Sequence, residues 1–387
     1  MNSQHPLFLI MKKYFYIAIL SLIVSCSDDA DKEKDSLVYT LFVDTPDSFT
    51  DNFDRSQFLT NLYDNNIIPA FLSFQNQLND LHVNISALTK NPNNTNLNNA
   101  RTSWVNAYMT WQSVEMFNLR KAEEVSLAAL MNSYPCIESA INNKITQGVS
   151  EIGAFNISLL GTTGFPAVGY LLYGNDSTSI IESLQNNNYN NYLLALIENM
   201  SLKTSLVVDD WQVSRSDFVN STGNSQTSSF NVVTNDFLQY YEKRVREAKV
   251  ATPIDYRGSQ QPRPDQVESY YHSIICKALL DNAFQSVKRF YTGESFQQNL
   301  DGVGLEDYLE SLNGTSDLVT EINNAITDVE YKISALNDDF ILQLNNDPEK
   351  LIDVFLSMQA LVTLFKADMF SFLGVSPDYA DNDGDGG

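Results

Sequence analysis

Residues 318–340 have the sequence LVTEINNAITDVEYKISALNDDF, in which apolar residues recur every three or four positions. This spacing places them on one side of an α-helix, since a helix has 3.6 residues per turn. The row consists of Ile322, Ile326, Val329, Ile333, Leu336 and Phe340. The stretch therefore predicts a helix that buries one face against the rest of the protein.

The same period recurs along the rest of the chain. Pro69 lies near the start of one row and either opens its helix or kinks it, because proline has no amide hydrogen. Asp347-Pro348-Glu349 has the order of an N-cap, a first-turn proline and a first-turn acid, and Gly374 is placed to end the helix that follows. The other rows are Ile67, Phe71, Phe74, Leu78 and Leu81; Leu97, Ala100, Trp104, Tyr108, Trp111 and Glu115; Leu193, Ile197, Met200, Thr204, Val207 and Trp211; Val267, Ile274, Phe284 and Val287; and Phe355, Met358, Val362 and Phe365.

No segment alternates with the period of two for long enough to build a sheet, so we predict an all-α protein of two helical bundles. The stretch from Ser214 to Thr234 is polar and is predicted to connect the bundles. The predicted divisions are a signal peptide with a lipobox at 1–26, a flexible tether at 27–50, a first bundle at 51–213, a connecting loop at 214–235, a second bundle at 236–376 and an acidic tail at 377–387.

The composition excludes several classes of function. The 387 residues include 24 Lys and Arg against 48 Asp and Glu, a formal net charge of −24. Such a charge repels the phosphate backbone, so we predict no nucleic-acid partner. With only three cysteines and three histidines, a cysteine-rich metal module and a multi-histidine metal site are both excluded.

The N-terminus predicts export and lipidation. Lys12 and Lys13 precede the apolar run YFYIAILSLIV at 14–24, which is too short to span a bilayer and is typical of a secretory signal. Ile23-Val24-Ser25-Cys26 resembles a bacterial lipobox, which implies cleavage before Cys26 and a lipid anchor on it. The alternative is an ordinary signal peptide with an incidental cysteine.

The residues after Cys26 predict a location outside the cytoplasm. The segment SDDADKEKDS is charged and lacks an apolar period, as a flexible tether does. Ser27-Asp28-Asp29 resembles the export signal of Bacteroidetes surface lipoproteins. We therefore expect a lipid-anchored protein at the outer membrane or cell surface, with a periplasm-facing protein as the alternative.

Five segments in order resemble the imelysin-like lipoproteins, over most of the chain from about Asn52 onward. The resemblance implies an all-α fold of two bundles and a link to iron or haem uptake, with outer-membrane uptake proteins as candidate partners. The family name suggests a peptidase, whereas many members resemble non-enzymatic binding proteins. The segments are ARTSWVNAYMTWQSVEMFNL at 100–119, SYPCIESAI at 133–141, GFPAVGYLLYG at 164–174, ESYYHSIICKALLDNAFQSVKRFYTG at 268–293 and FLGVSPDYADNDGDGG at 372–387.

The family's signature, Gly-x-His-x-x-Glu, matches residues 164–169 only in its glycine. Gly164 is kept, but Pro166 stands at the histidine position and Gly169 at the glutamate position. An imidazole and a carboxylate three residues apart share one helical face and can converge on a cation. Neither Pro166 nor Gly169 has a side chain that binds metal, so we predict no metal, no resident cofactor and no catalytic residue here.

Other residues are candidates for a ligand site. Glu115 lies on the apolar face that carries Trp111, so its carboxylate needs a partner or a shifted pKa; alternatively it reaches solvent or pairs with Arg101 or Lys121. The resemblance places Glu115 at an acidic position of the family's Trp-rich helix. The missing side chains at 166 and 169 are expected to leave a small cleft. The residues proposed to line the cleft are Glu115, Trp111, Gly164, Pro166, Gly169, Tyr170 and Tyr173.

Two histidines, two cysteines and the C-terminal tail are weaker candidates for a functional site. His82 and His272 are each more often packed or exposed than metal-bound. Cys136 and Cys276 either form a disulfide or remain buried thiols. The tail at 381–386, DNDGDG, matches the first half of a Ca²⁺ loop but lacks its bidentate glutamate, so a solvated acidic tail is favoured.

The sequence thus leads to three hypotheses about function. The first is a non-catalytic envelope lipoprotein that binds a ligand or partner and has lost the family's metal motif. The second is an iron- or haem-binding component that uses Glu115, the tyrosines and His272. The third is a metallopeptidase, which the loss of both signature residues disfavours.

Overall fold

A computed structural model describes residues 52–297 and 300–378. These residues form helices, turns and loops, and none of them lies in a β-strand, which confirms the all-α prediction. The signal peptide with Cys26, the tether at 27–50 and the tail beyond residue 378 lie outside the described residues. In the described ranges, no helix has both the length and the apolar character needed to cross a membrane.

The first half of the chain is built on three long helices, α2, α3 and α9, with α3 and α9 both packed against α2. Its α-helices are α1 Arg55–Asn61, α2 Ile68–Lys90, α3 Asn94–Trp111, α4 Lys121–Glu124, α5 Leu127–Met131, α6 Glu138–Thr146, α7 Gly164–Tyr173, α8 Ser177–Ser183, α9 Asn187–Val213 and α10 Arg215–Val219. A π-helical segment at Leu62–Ile67 joins α1 to α2, so Pro69 lies just after a widened turn of one continuous helix.

The second half centres on α14 and α16, which pack against each other, and on a π-helix at Tyr240–Ala251 that packs against α16. Its α-helices are α11 Ser229–Gln239, α12 Cys276–Thr292, α13 Leu305–Ser311, α14 Ser316–Ser334, α15 Phe340–Asn346, α16 Glu349–Thr363 and α17 Phe370–Leu373. Short 3₁₀ turns lie at Ile157–Leu159, Pro264–Gln266 and Tyr270–Ile275, and a second π-helical segment lies at Leu364–Met369.

Most of the apolar rows predicted from the sequence are buried, and two of them outlast their helices. The row at 267–287 differs from the prediction, because its α-helix begins only at Cys276 and Ile274, in the 3₁₀ turn before it, is 56% exposed. Helix α14 ends at Ser334, yet Leu336 and Phe340 continue the row in the core at 4% and 2% exposure. Asp339 caps the next helix by accepting hydrogen bonds from two backbone amides, which explains the break. Helix α3 likewise ends at Trp111, so Glu115 lies in the turn that follows.

The stretch at 214–235 differs from the predicted loop. It contains α10 and the first part of α11, and only residues 220–228 between them are non-helical. Phe218 and Phe230 are buried at 1% and 0% exposure. The polar composition misled the prediction because these helices bury a few aromatic residues among many serines and asparagines.

The two halves are also not separated along the chain as predicted. Helix α1, assigned to the first bundle, packs its Phe58 ring against Phe230 and Phe290 at 5.8 and 5.7 Å. The side-chain amide of Asn61 donates to the carbonyls of Gly293 and Val303 at 2.8 and 3.0 Å. The start of the described chain is thus part of the core of the second half.

Candidate functional site

Helix α7 carries residues 164–169, the segment predicted to match the signature, and its first residue must be glycine. Gly164 has φ +73°, and an added Cβ would lie 2.0 Å from the carbonyl oxygen of Met131. Pro166 is the third residue of the helix, where its missing amide hydrogen leaves no helical hydrogen bond unmade. Close contact between α7 and α5 therefore explains why residue 164 is a glycine.

The expected cleft at Pro166 and Gly169 is filled. An added Cβ on Gly169 would lie 2.9 Å from Cζ2 of Trp104, whose indole donates to the carbonyl of Phe165 at 3.1 Å. The cavity left beside Trp104, Pro166 and Gly169 has a volume of about 10 Å³, about one water molecule's worth of space. The indole of Trp104 thus occupies the space in which a glutamate side chain at position 169 would lie.

Tyr170 and Tyr173 belong to an aromatic cluster that is continuous with Trp104, whose ring lies 5.3 Å from that of Tyr173. The Tyr170 ring lies 5.2 Å from that of Tyr271. The Tyr173 ring stacks on His272 at 4.3 Å, and the Arg101 guanidinium lies 4.7 Å from its centroid. Burial raises the pKa of Tyr173 to about 12 and lowers that of His272, so both rings are neutral at pH 7. These contacts hold the cluster together by stacking and by a cation–π interaction.

Glu115 is buried, at 4% exposure, and does not take the solvent-facing alternative. Arg101 instead donates to the Leu172 carbonyl, and Lys121 pairs with Glu124. Burial raises the pKa of Glu115, and the positive charges of Lys249 and Arg244 oppose that rise. Its Oε2 atom has no hydrogen-bond partner among the described residues. A buried carboxylate oxygen without a donor is costly, and a water molecule, an ion or a ligand would satisfy it.

Behind Glu115 lies a buried network that the sequence analysis missed. Lys249 Nζ lies 2.6 Å from Glu268 Oε2 and donates to Gln112 Oε1 at 2.8 Å. Glu268 Oε1 accepts from Asn132 at 2.8 Å and from Gln112 at 3.1 Å. The Tyr108 hydroxyl donates to Asn132 Oδ1 at 2.6 Å. This network ties α3 and the segment after α5 to the π-helix and the segment before α12.

Two cavities lie beside this network, and Arg244 lines both. The Glu115 cavity, of about 230 Å³, also contains two more buried oxygens without a partner in the described residues, Asn118 Oδ1 and Asp236 Oδ2. The Tyr134 cavity, of about 350 Å³, has the size of a small-molecule site. Its walls are formed by Asn132, Ser133, Tyr134, Pro135, Ile137, Leu160, Gly161, Arg244, Ala248, Thr252 and Gln266.

The structure therefore places the predicted site residues in different parts of the molecule. Glu115 lines one cavity, Pro166 and Gly169 line the filled space, and Tyr170 and Tyr173 form the aromatic cluster. Trp111 is a core residue at 1% exposure, with its ring 5.4 Å from that of Phe74.

The histidine and cysteine candidates do not form a metal site. Cys136 and Cys276 are free thiols, so the disulfide alternative is wrong. His82 is half-buried near the middle of α2, away from the C-terminal end of that helix. Across the described residues, no three His, Cys, Asp or Glu side chains are grouped so that they could hold a metal ion.

A sequence signal for the missed residues existed in YYEKRVREAKV at 240–250. Glu242, Arg246 and Lys249 recur at helical spacing, which usually indicates a solvated face, yet they are 0%, 0% and 3% exposed. Only the packing of other elements over that face shows that the charges are buried.

Two solved structures share this fold. One is named as an iron-regulated protein A precursor from Parabacteroides distasonis; it is 18% identical, has a TM-score of 0.69, and the match covers 81% of this chain and 93% of that one. The other is an imelysin-like protein from Psychrobacter arcticum, with 16% identity, a TM-score of 0.67, and coverage of 84% and 97%. No protein of curated function matches the sequence. The sequence profile of the Imelysin family, Peptidase_M75, matches residues 67–366, and the chain therefore belongs to the imelysin family.

Proposed function

We propose that this protein is a non-catalytic binding protein of the cell envelope, anchored by lipid on Cys26 and serving iron or haem uptake. The proposed lack of catalysis rests on one observation, the filled space beside Pro166 and Gly169. Pro166 and Gly169 offer no metal ligand, and the Trp104 indole occupies the space beside them. A catalytic zinc site needs three protein ligands and an open position for water.

The link to iron is supported by family membership and by the name of one structural relative, an iron-regulated protein A precursor. The buried Glu115 and the two neighbouring cavities provide a place for a ligand. The alternative, in which His272 and Glu115 bind iron or haem together, has less support. His272 stacks with Tyr173, whereas Glu115 lines a cavity to which His272 does not contribute.

The alternative, direct binding of iron or haem, is tested by titration calorimetry of the purified protein with Fe²⁺ and Zn²⁺. Haem binding is tested by the absorption spectrum of added haem. We expect no micromolar binding of either bare ion. The informative variants are Glu115→Gln and, as its control, Glu198→Gln on the exposed side of α9. Micromolar binding that Glu115→Gln abolishes and Glu198→Gln preserves would reject the proposal and promote direct iron binding.

The absence of catalysis has its own test. The protein is incubated with a mixture of peptides, and the products are identified by mass spectrometry with and without a metal chelator. We expect no cleavage. Cleavage that the chelator suppresses would establish the metallopeptidase hypothesis instead.

Anchoring is tested by replacing Cys26 with Ala and separating membrane from soluble fractions. The wild-type protein is expected in the outer-membrane fraction and accessible to protease added to whole cells, since we propose the cell surface as its location. A Cys26→Ala variant that stays as firmly in the membrane fraction would contradict the lipid anchor. Protection of the wild-type protein from external protease would place it on the periplasmic side.

A further inference from the structure

Among the described residues that line the Tyr134 cavity, Arg244 alone carries a charge. Arg244 is exposed and has no ion pair or hydrogen bond within residues 52–297 and 300–378, although the protein has twice as many acidic as basic residues. Arg244 acts on Glu115 only at a distance, by lowering its pKa. An arginine left unpaired in so acidic a protein is available for an external anion.

The element that carries Arg244 holds it in place. The π-helix at Tyr240–Ala251 is wider than an α-helix, and such segments are frequent at functional sites. Its buried face is fixed by Glu242 with Arg246 and by Lys249 with Glu268, at 3.6 and 2.6 Å. Arg244, by contrast, shares the wall of the Tyr134 cavity with Ala248 and Thr252, four and eight residues further along.

A second donor in the same cavity lacks a partner. Tyr134 is partly buried, and its hydroxyl makes no hydrogen bond within the described residues. Burial raises the pKa of Tyr134 far above its usual value, and the charges of Glu268 and Glu115 add to that rise. The phenol is therefore protonated at neutral pH, and its hydroxyl is available to donate a hydrogen bond. A guanidinium and a phenol facing one cavity form a donor pair for an oxyanion.

The residues that form the walls of the Tyr134 cavity limit the class of anion that fits it. Pro135, Ile137 and Leu160 contribute apolar surface, and Ser133, Thr252 and Gln266 contribute neutral polar groups. An inorganic ion would leave most of the 350 Å³ and all of the apolar wall unused. An organic molecule that carries several carboxylates suits both the donors and the walls.

We propose that the Tyr134 cavity binds an organic polycarboxylate, and that iron reaches this protein as the ferric complex of such an acid. The second clause rests on the proposed function, while the first does not. A protein that lacks the family's metal ligands can still handle iron if the chelating acid supplies the ligands and the protein recognises the acid.

The experiment titrates the purified full-length protein with citrate, with ferric citrate and with inorganic phosphate as separate probes. We expect micromolar to millimolar binding of ferric citrate, weaker binding of citrate alone and none of phosphate. Arg244→Gln should weaken binding about tenfold or more, since a charge-assisted hydrogen bond is lost. Tyr134→Phe should weaken it by a smaller factor. Ala248→Phe, which narrows the cavity without changing any charge, should also weaken it.

The matched control is Arg215→Gln, which removes the same charge from an arginine paired with Asp64 on the surface at 2.6 Å. It should bind ferric citrate as the wild type does. Equal losses in Arg215→Gln and Arg244→Gln would show a general charge effect and overturn the site. Phosphate that binds as tightly as citrate would overturn the polycarboxylate class.

The separate titrations with citrate and ferric citrate test this proposal independently of the proposed function. Citrate that binds equally with and without iron would support the anion site and contradict its link to iron uptake. No binding of either citrate form would overturn the cavity proposal, while the haem and Fe²⁺ titrations described above test the proposed function independently. Unchanged circular dichroism of each variant shows that a loss of binding is not a loss of fold.

Discussion

At the scale of single residues, Gly169 shows how packing can determine which residue a position holds. An added Cβ at this position would lie 2.9 Å from Cζ2 of the Trp104 indole. A glycine inside a helix costs about 1 kcal/mol relative to alanine, so its presence in α7 needs a reason. The close approach of Trp104 provides that reason.

Gly169→Ala should therefore destabilise the protein by about 1–3 kcal/mol, although alanine is the better helix former, because the methyl group would lie 2.9 Å from a buried ring. The measurement is urea unfolding followed by circular dichroism. The control is Gly223→Ala, where an added Cβ meets nothing within 4 Å. A Gly169→Ala protein as stable as the control would show that Trp104 moves freely.

For the same steric reason, Pro166→His with Gly169→Glu is expected to gain no metal affinity while Trp104 is present.

Asp236 gives a prediction about pH. Burial raises the pKa of its carboxyl from 3.8 to about 7, and the nearby charges of Asp378 and Glu123 add to the rise. A carboxyl whose pKa is raised on folding stabilises the fold below about pH 4, and that contribution is lost as the pH rises through 7. Asp236→Asn removes the ionisation.

The Asp236→Asn variant should thus gain stability relative to wild type between pH 4 and pH 8, by up to about 4 kcal/mol before solvent screening is allowed for. The free energy of unfolding is measured across this range. Asp353→Asn, at an exposed position of α16, is the control and should show no such trend. A pH-independent difference between wild type and Asp236→Asn would contradict the raised pKa.

At the scale of elements, the π-helix at Tyr240–Ala251 joins the stability of the fold to its candidate site. One side carries buried charges, and the other carries Arg244. Buried ion pairs are costly to break because the remaining charge is left without a partner in a medium of low dielectric constant. The pair between Lys249 and Glu268 is the clearest case, with both side chains 3% exposed.

Lys249→Met and Glu268→Leu should each cost about 3–5 kcal/mol, whereas the double variant should cost less than the sum. A double-mutant cycle by urea unfolding measures this coupling. The comparison is Asp328→Asn, which breaks the exposed pair with Lys332 at 2.8 Å and should cost at most about 1 kcal/mol. Additive losses in the cycle would mean that the two charges do not stabilise each other.

At the scale of the whole molecule, the two halves depend on each other. Helix α1 fills part of the core of the second half and continues through α2 into the first half. Met109 on α3 accepts a hydrogen bond from Asn282 on α12, and the Gln112 carbonyl, in the turn after α3, accepts one from Ser286. Contacts of this kind make the residues from Phe53 onward one compact unit.

A fragment of residues 214–378 should therefore not fold, because it lacks Phe58, Leu59 and Asn61 of α1. The expected result is a loss of near-ultraviolet circular dichroism and no cooperative urea transition, whereas the chain from residue 52 to 378 should unfold in a single transition. A cooperative transition in the fragment would show that the second half folds alone.

Much of this molecule could be predicted from sequence because helices follow local periodicity. The rows at 67–81, 193–211 and 322–340 specify which faces are buried, and Gly374 ends the last helix in the left-handed conformation expected of it. That Pro166 and Gly169 have no side chain able to bind a metal also follows from residue identity alone. These features depend on neighbours a few residues away, which a sequence displays directly.

Only the tertiary structure decided the rest, since it depends on contacts between residues far apart in the chain. Trp104 fills the space at Gly169 across 65 positions, and Lys249 finds Glu268 and Gln112 in different segments. The period of a helix says which residues face inward but not what they meet there. That is why Glu115 was predicted from its position in an apolar row, while Arg244, which lines the same cavity, was not.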